Sequence, residues 1–225
     1  MGAVKECPAP YYEDELVTIF NANVRSSLWD FTPLADVLIT DPPYGIDYNS
    51  GSRRDKLAAS IEGDKDTFIR DFVLAAWTGP ALVFGTWRIP RPQRTHTRLI
   101  WDTKGALGMG NLSVPWKPSD QEIYVIGHGF TGRRDTNVLR VAPVQSMAKN
   151  GRLHPHEKPV ALMRALIEKC PPEWVILDPF MGSGSTLRAA KDLGRRAVGV
   201  EVDADYCRIA AERMGQAVLD FEAAA

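Results

Sequence analysis

Residues 174–186 constrain this chain more than any other stretch. An apolar strand, Trp174-Val175-Ile176-Leu177, ends in Asp178-Pro179-Phe180 and runs through Met181-Gly182-Ser183-Gly184 into a helical pattern at Ser185-Thr186. Glycines at a strand-to-helix turn let the backbone bend sharply and approach a ligand with no Cβ in the way. Glu201 ends the next apolar run, 197–202. A carboxylate at that place can accept hydrogen bonds from both hydroxyls of a ribose. The combination implies a nucleoside-containing cofactor lying across strand ends, with Asp178, Phe180, Gly182, Ser183, Gly184 and Glu201 as its lining.

The spacing excludes two common cofactors. Gly184 stands where a phosphate-cradling loop needs a lysine, and Leu187 stands where a dinucleotide turn prefers a third glycine. S-adenosylmethionine suits the residues better. Its ammonium can pair with Asp178, and its carboxylate can sit at the N-terminus of the helix that follows.

A second Asp-Pro motif, Asp41-Pro42-Pro43-Tyr44-Gly45, follows the β-branched run 36–40. Successive prolines remove two backbone donors and hold the chain extended. The Asp41 carboxylate and Pro42 carbonyl then form a rigid acceptor pair beside the aromatic face of Tyr44. That pair complements an exocyclic amine, which offers two donors on a planar ring. Accepting both N–H groups favours pyramidal nitrogen and frees its lone pair for an incoming methyl.

Short apolar runs at 16–20, 36–40, 81–87, 98–102, 122–127, 174–178 and 197–202 read as buried strands. Helical spacing recurs through Phe68, Phe72, Val73 and Ala76, and at 158–170, 185–193 and 203–219. Pro159 suits a first helical turn and Asp203 a cap. This alternation predicts an α/β fold: a doubly wound, mostly parallel sheet with helices on both faces. The 225 residues, 44% hydrophobic and 24% charged, fit one domain over 1–225. Three scattered cysteines argue against a disulfide framework or a metal site, and no apolar run is long enough for a membrane span. A cytoplasmic protein is expected, in a bacterium or a phage-infected cell.

Net charge is −1, but residues 47–152 hold sixteen Lys and Arg against ten Asp and Glu. Arg53, Arg54, Arg88, Arg91, Arg94, Arg98, Arg133, Arg134 and Arg140 belong to that excess, which suits phosphate neutralisation as well as a solvated surface. Arg53 and Arg54 fall in the polar stretch 47–64, a candidate mobile DNA-contacting loop.

Taken together, Asp41-Pro42-Pro43-Tyr44 and Asp178-Pro179-Phe180-Met181-Gly182-Ser183-Gly184 resemble the paired motifs of the amino-methylating DNA methyltransferases. The catalytic tetrad comes first, as in that family's permuted β group. His154-Pro155-His156-Glu157-Lys158-Pro159 resembles the group's HPxxKP element, with His-Glu in place of the usual Thr-Gln. The resemblance implies a Rossmann-like methyltransferase fold and S-adenosylmethionine held by the residues above with Lys158 nearby. It also implies an adenine in DNA, flipped out and held by Asp41, Pro42 and Tyr44, with N6 as the methylated atom. No metal is implied.

The order also implies target recognition between the motifs, at 129–153 including Arg133 and Arg134. That segment is short, so a homodimer or partner subunit is an expected aid to sequence recognition. Alternatives are cytosine N4 as the target, a non-catalytic DNA-binding subunit, or a protein-glutamine methyltransferase. The last typically shows NPPY and the reverse motif order.

Overall fold

The computed structural model describes residues 8–43, 67–105, 112–144 and 157–216. In chain order the elements are β1 (Tyr12–Glu13), β2 (Val17–Asn21), α1 (Val24–Phe31), β3 (Val37–Thr40), α2 (Phe68–Ala76), β4 (Ala81–Gly85) and β5 (Thr95–Asp102). Then follow β6 (Asp120–Ile126), β7 (Val138–Arg140), α3 (Val160–Ile167), β8 (Ile176–Asp178), α4 (Ser185–Asp192), β9 (Ala197–Glu201) and α5 (Ala204–Gly215). The strands among the described residues form one sheet in the order β1-β2-β9-β8-β3-β4-β6-β5-β7. Strands β2, β9, β8, β3 and β4 are mutually parallel, β6 is antiparallel to both β4 and β5, and β7 runs parallel to β5.

Side-chain alternation divides the core into two layers. Val17, Ile19, Val37, Ile39 and Ile176 face α3, α4 and α5, packing with Leu162, Leu166, Leu187 and Ala210. Phe20, Leu38, Leu177, Val198 and Val200 face α1 and α2, packing with Leu28, Phe31, Val73 and Leu74. All four residues of β3 are buried, the signature of a strand covered on both faces. The architecture is the doubly wound α/β sheet expected from the sequence.

Each apolar run became a strand within a few residues of its expected limits. Asp203 caps α5, accepting from the N–H groups of Asp205 and Tyr206. Pro159 is the residue before α3 and not part of its first turn. The two-residue β1, the edge strand β7 and α1 had no counterpart in the sequence reading. Among the described residues no helix is long and apolar enough to cross a membrane.

The feature that positions a site is the junction of β8 and β3. From β8 the chain passes through α4 to β9 on one side, while from β3 it reaches α2 and β4 on the other. Adjacent parallel strands whose connections depart to opposite faces leave a crevice beyond their carboxyl ends, the usual ligand position in open α/β sheets.

One close approach fixes the neighbouring strands. A Cβ on Gly85 would lie 2.3 Å from the ring of Tyr124, which is wholly buried. The Tyr124 hydroxyl donates to the Glu122 carboxylate at 2.7 Å, and Glu122 is itself 2% exposed and ion-paired with Arg98. Gly85→Ala is therefore expected to lower unfolding free energy by about 1–3 kcal/mol. Urea denaturation checks this, and an unchanged midpoint would show that the ring can move aside.

Candidate active site

Both Asp-Pro motifs leave the sheet side by side. Register pairs Val37 with Ile176 and Leu38 with Leu177, so Asp41 and Asp178 emerge at the same edge. A buried hydrogen bond joins the strands there: the Thr40 hydroxyl donates to Asp178 Oδ1 at 2.9 Å. The Phe180 N–H donates to the same oxygen at 3.2 Å, and the Thr186 hydroxyl to Oδ2 at 2.5 Å. A narrow crevice is lined by Pro42 from the first motif, Phe180 from the second, and Val73, Leu74 and Val83.

Asp178 is 3% exposed. Burial pushes its carboxyl up to about 6 against the hydrogen bonds from Thr186, Thr40 and the Phe180 amide, with the nearby Asp41 charge adding to the rise. The sequence reading gave this carboxylate to a ligand ammonium. The structure gives three of its acceptor positions to β3, the turn and α4.

Glu201 ends β9 and closes the other side. Its Oε2 accepts from the Gly182 N–H at 3.0 Å and its Oε1 from the Asp203 N–H at 2.9 Å. Burial raises its pKa while these amides oppose the rise. The turn between needs its glycines: Gly182 has φ 50° and Gly184 φ 79°, and a Cβ on Gly184 would meet Ala210 Cβ at 3.0 Å. Gly184 also opens α4, whose first amides point toward the crevice.

Ser183 is buried against α5. Arg213 of α5 donates to its carbonyl at 3.2 Å and reaches the Ser185 hydroxyl at 3.3 Å. The same guanidinium pairs with the buried Glu157 at 2.8 Å. The acid that departs from the HPxxKP pattern thus has a partner in α5, and together they brace the glycine turn.

Lys158, expected near the cofactor, is paired with Asp41. It is 8% exposed and lies 4.9 Å over the Phe84 ring, so its charge is held between an acid and an aromatic face. Sequence reading missed this pair because the partners are separated by most of the chain.

The basic residues divide. Arg94 donates to the carbonyls of Leu74 and Trp77 at the end of α2, and Arg98 pairs with the buried Glu122, so both guanidinium groups are engaged within the chain although both residues are exposed. Arg133 and Arg134 lie apart from Asp41. The segment after β6 is at the opposite edge of the sheet, where Arg133 pairs with Asp135 and its carbonyl accepts from Lys169. The first part of 129–153 therefore does not face the crevice. Tyr44, Arg53, Arg54, the loop 47–64 and residues 145–156 lie outside the described residues. Cys170 and Cys207 are buried, and burial pushes both thiols up to about 12, leaving them as packing groups.

The family model described as DNA methylase, which joins the N6 and N4 enzymes, matches residues 86–212, more than half of the chain. The chain belongs to this DNA methylase family. The Escherichia coli (strain K12) protein YubD is 29% identical over 192 residues, covering 80% of this chain and 81% of YubD. Two solved structures share the fold. The M1.HpyAVI–SAM complex has a TM-score of 0.63 at 22% identity, covering 88% of this chain and all of that one. The cytosine-N4-specific PvuII DNA methyltransferase has 0.69 at 13% identity, covering 95% and 91%. In this family member, then, the crevice between β8 and β3 is the place to seek chemistry.

The Asp178 environment makes a pH prediction. Its folded-state pKa lies above the ordinary 3.8. The proton-linked stabilisation is therefore complete below about pH 4 and lost as pH rises through about 6. Relative to Asp178→Asn, the wild-type protein should gain on the order of 2–3 kcal/mol between pH 7 and pH 4. Urea denaturation of both proteins across that range measures the difference, and a flat difference contradicts the burial effect.

Proposed function

We propose that this DNA methylase transfers a methyl group from S-adenosylmethionine to the N6 amine of an adenine rotated out of DNA. The observation that carries the reading is that both Asp-Pro motifs leave the sheet at one edge, with Pro42 and Phe180 lining a shared crevice and the Thr40–Asp178 hydrogen bond fastening the strands.

The residues present fit the cofactor by their donor set. Glu201 offers a carboxylate for ribose hydroxyls, the α4 N-terminus suits a carboxylate, and Asp178 suits an ammonium. When bound, S-adenosylmethionine supplies an electrophilic methyl group. Asp41 and the Pro42 carbonyl accept the two N–H bonds of the base amine and orient its lone pair. Lys158 holds the Asp41 carboxylate in position for that task. Extruding the base costs a few kcal/mol, which stacking on Tyr44 and the new hydrogen bonds offset. Orientation supplies most of the acceleration, because the sulfonium charge vanishes during transfer and tight binding of that charge would slow the step.

Asp41 supports adenine, since an aspartate in the first position of the tetrad accompanies adenine N6 and a serine is commoner for cytosine N4. The likeness to a cytosine-N4-specific enzyme is one of fold. Intact Asp41, Gly182 and Glu201 oppose a non-catalytic DNA-binding subunit, and the motif order opposes a protein-glutamine methyltransferase.

Incubating the protein with radiolabelled cofactor and DNA, then digesting to nucleosides, should place the label in N6-methyladenine. Label in N4-methylcytosine would move the target to the other amine, and label only in protein would overturn the reading. Asp41→Ala should abolish transfer while cofactor affinity, read by calorimetry, changes little. Full activity in that variant would refute the role of Asp41.

A further inference from the structure

Trp87 ends the apolar run 81–87, a place that suits core packing or contact with nucleic acid; it is 76% exposed, and Trp116 is 78% exposed. Both lie on the crevice side of the sheet. Trp87 is at the tip of a turn just past β4, closed by the Ile89 N–H donating to the Thr86 carbonyl at 3.4 Å. Counting on from Thr40↔Val83, Pro42 is level with Gly85, two residues before Trp87. One strand spacing, roughly 4.8 Å, separates them laterally.

Trp116 belongs to the β5–β6 connection. Asp102 pairs with Asp120, and the Thr103 N–H donates to the Ser119 carbonyl at 2.8 Å, so the hairpin stem ends at this same edge. Trp116 stands three residues beyond Ser119, within about 10 Å of the stem. Pro115 and Pro118 flank it, restricting the backbone that presents the indole.

Isolated exposed apolar residues are ordinary. Here, however, two large aromatics share an edge with cations. Arg88 sits 5.9 Å over the Trp87 ring, and Arg91, Lys104 and Lys117 lie on the same two connections. Cations interleaved with exposed indoles match a phosphate backbone and unstacked bases, and every base has a face for stacking. Leu112 and Val114 beside Trp116 are exposed as well, at 77% and 46%, so it is the interleaved cations that favour nucleic acid over an apolar protein partner.

We infer that Trp87 and Trp116 are base-stacking contacts for nucleotides flanking the methylated one, so that the β4–β5 connection and residues 112–119 before β6 form the DNA-docking surface. This rests on the proposed DNA substrate. It assigns docking to the near edge of the sheet, on the opposite side from Arg133.

The test uses the full chain and a fluorescein-labelled mixed-sequence duplex with a central unpaired tract, with affinity read by anisotropy. Trp87→Ala and Trp116→Ala should each weaken binding roughly ten-fold, as loss of one stacked base predicts. Trp→Phe at either position should restore most of the affinity. The salt dependence should keep its slope, because no phosphate contact is lost, whereas Lys117→Ala should flatten it. Thermal melting and cofactor affinity should be unchanged. Unchanged DNA affinity in both Ala variants would overturn the inference. So would a lower melting temperature, or a change in sedimentation showing that the indoles join two copies. Failure of the wild-type chain to bind any DNA would instead overturn the proposed function.

Discussion

A single buried carboxylate holds the two halves of the crevice together. Asp178 takes hydroxyl donors from Thr40 on β3 and Thr186 on α4, and an amide from its own turn. Burying a charged group without partners would cost several kcal/mol, so these donors are as necessary to the acid as the acid is to them. Because Thr40 immediately precedes Asp41, the bracket also fixes where the second acid leaves the sheet. Losing it would free the β3–β8 junction at the one place where both motifs must keep their spacing.

Charge around this bracket is arranged in pairs that do not compete. Three carboxylates, those of Asp41, Asp178 and Glu201, face one edge, and the lysine among them is committed to Asp41. The guanidinium of Arg213, which might have neutralised the turn, is engaged by Glu157. Lys158 offsets Asp41 and the buried Arg70 also lines the crevice, so the acids there are balanced in part by cations. The same arrangement leaves Asp41 an acceptor whose position is set before any base arrives, and this preorganisation is what lets hydrogen bonding serve orientation.

Local chemistry was legible in the sequence and distant pairing was not. The strands announced themselves as apolar runs, and Asp203 announced a helix start, because both signals are read within a few residues. The crevice followed from placing Asp41 and Asp178 at strand ends, since strand ends in a doubly wound sheet meet at few places. Helix α1 was missed because its sequence, Val-Arg-Ser-Ser-Leu-Trp-Asp-Phe, mixes polar and apolar residues over barely two turns. Its cap, Asn23, accepts from the Arg25 N–H. Arg94 and Arg98 looked like phosphate ligands, but a helix C-terminus and a buried glutamate claim them. Nothing within several residues of an arginine says which carbonyl or acid will reach it in space.

The dipeptide Glu157-Lys158 shows why this ordering of motifs can hold. Adjacent residues before a helix point to different partners: Glu157 to Arg213 behind the glycine turn, Lys158 to Asp41 at the acceptor pair. One backbone step thus ties the brace behind the glycine turn to Asp41. In a chain whose catalytic strand comes early and whose glycine turn comes late, no covalent link joins the two directly. The two ion pairs supply that link at the point where the chain returns to the sheet. Each is sheltered from solvent by α3, α5 or the Phe84 ring, and is screened less by salt than a surface pair would be. An acid at position 157 is consequently no intrusion beside Lys158. Its charge is spent on α5, and the lysine remains available to Asp41.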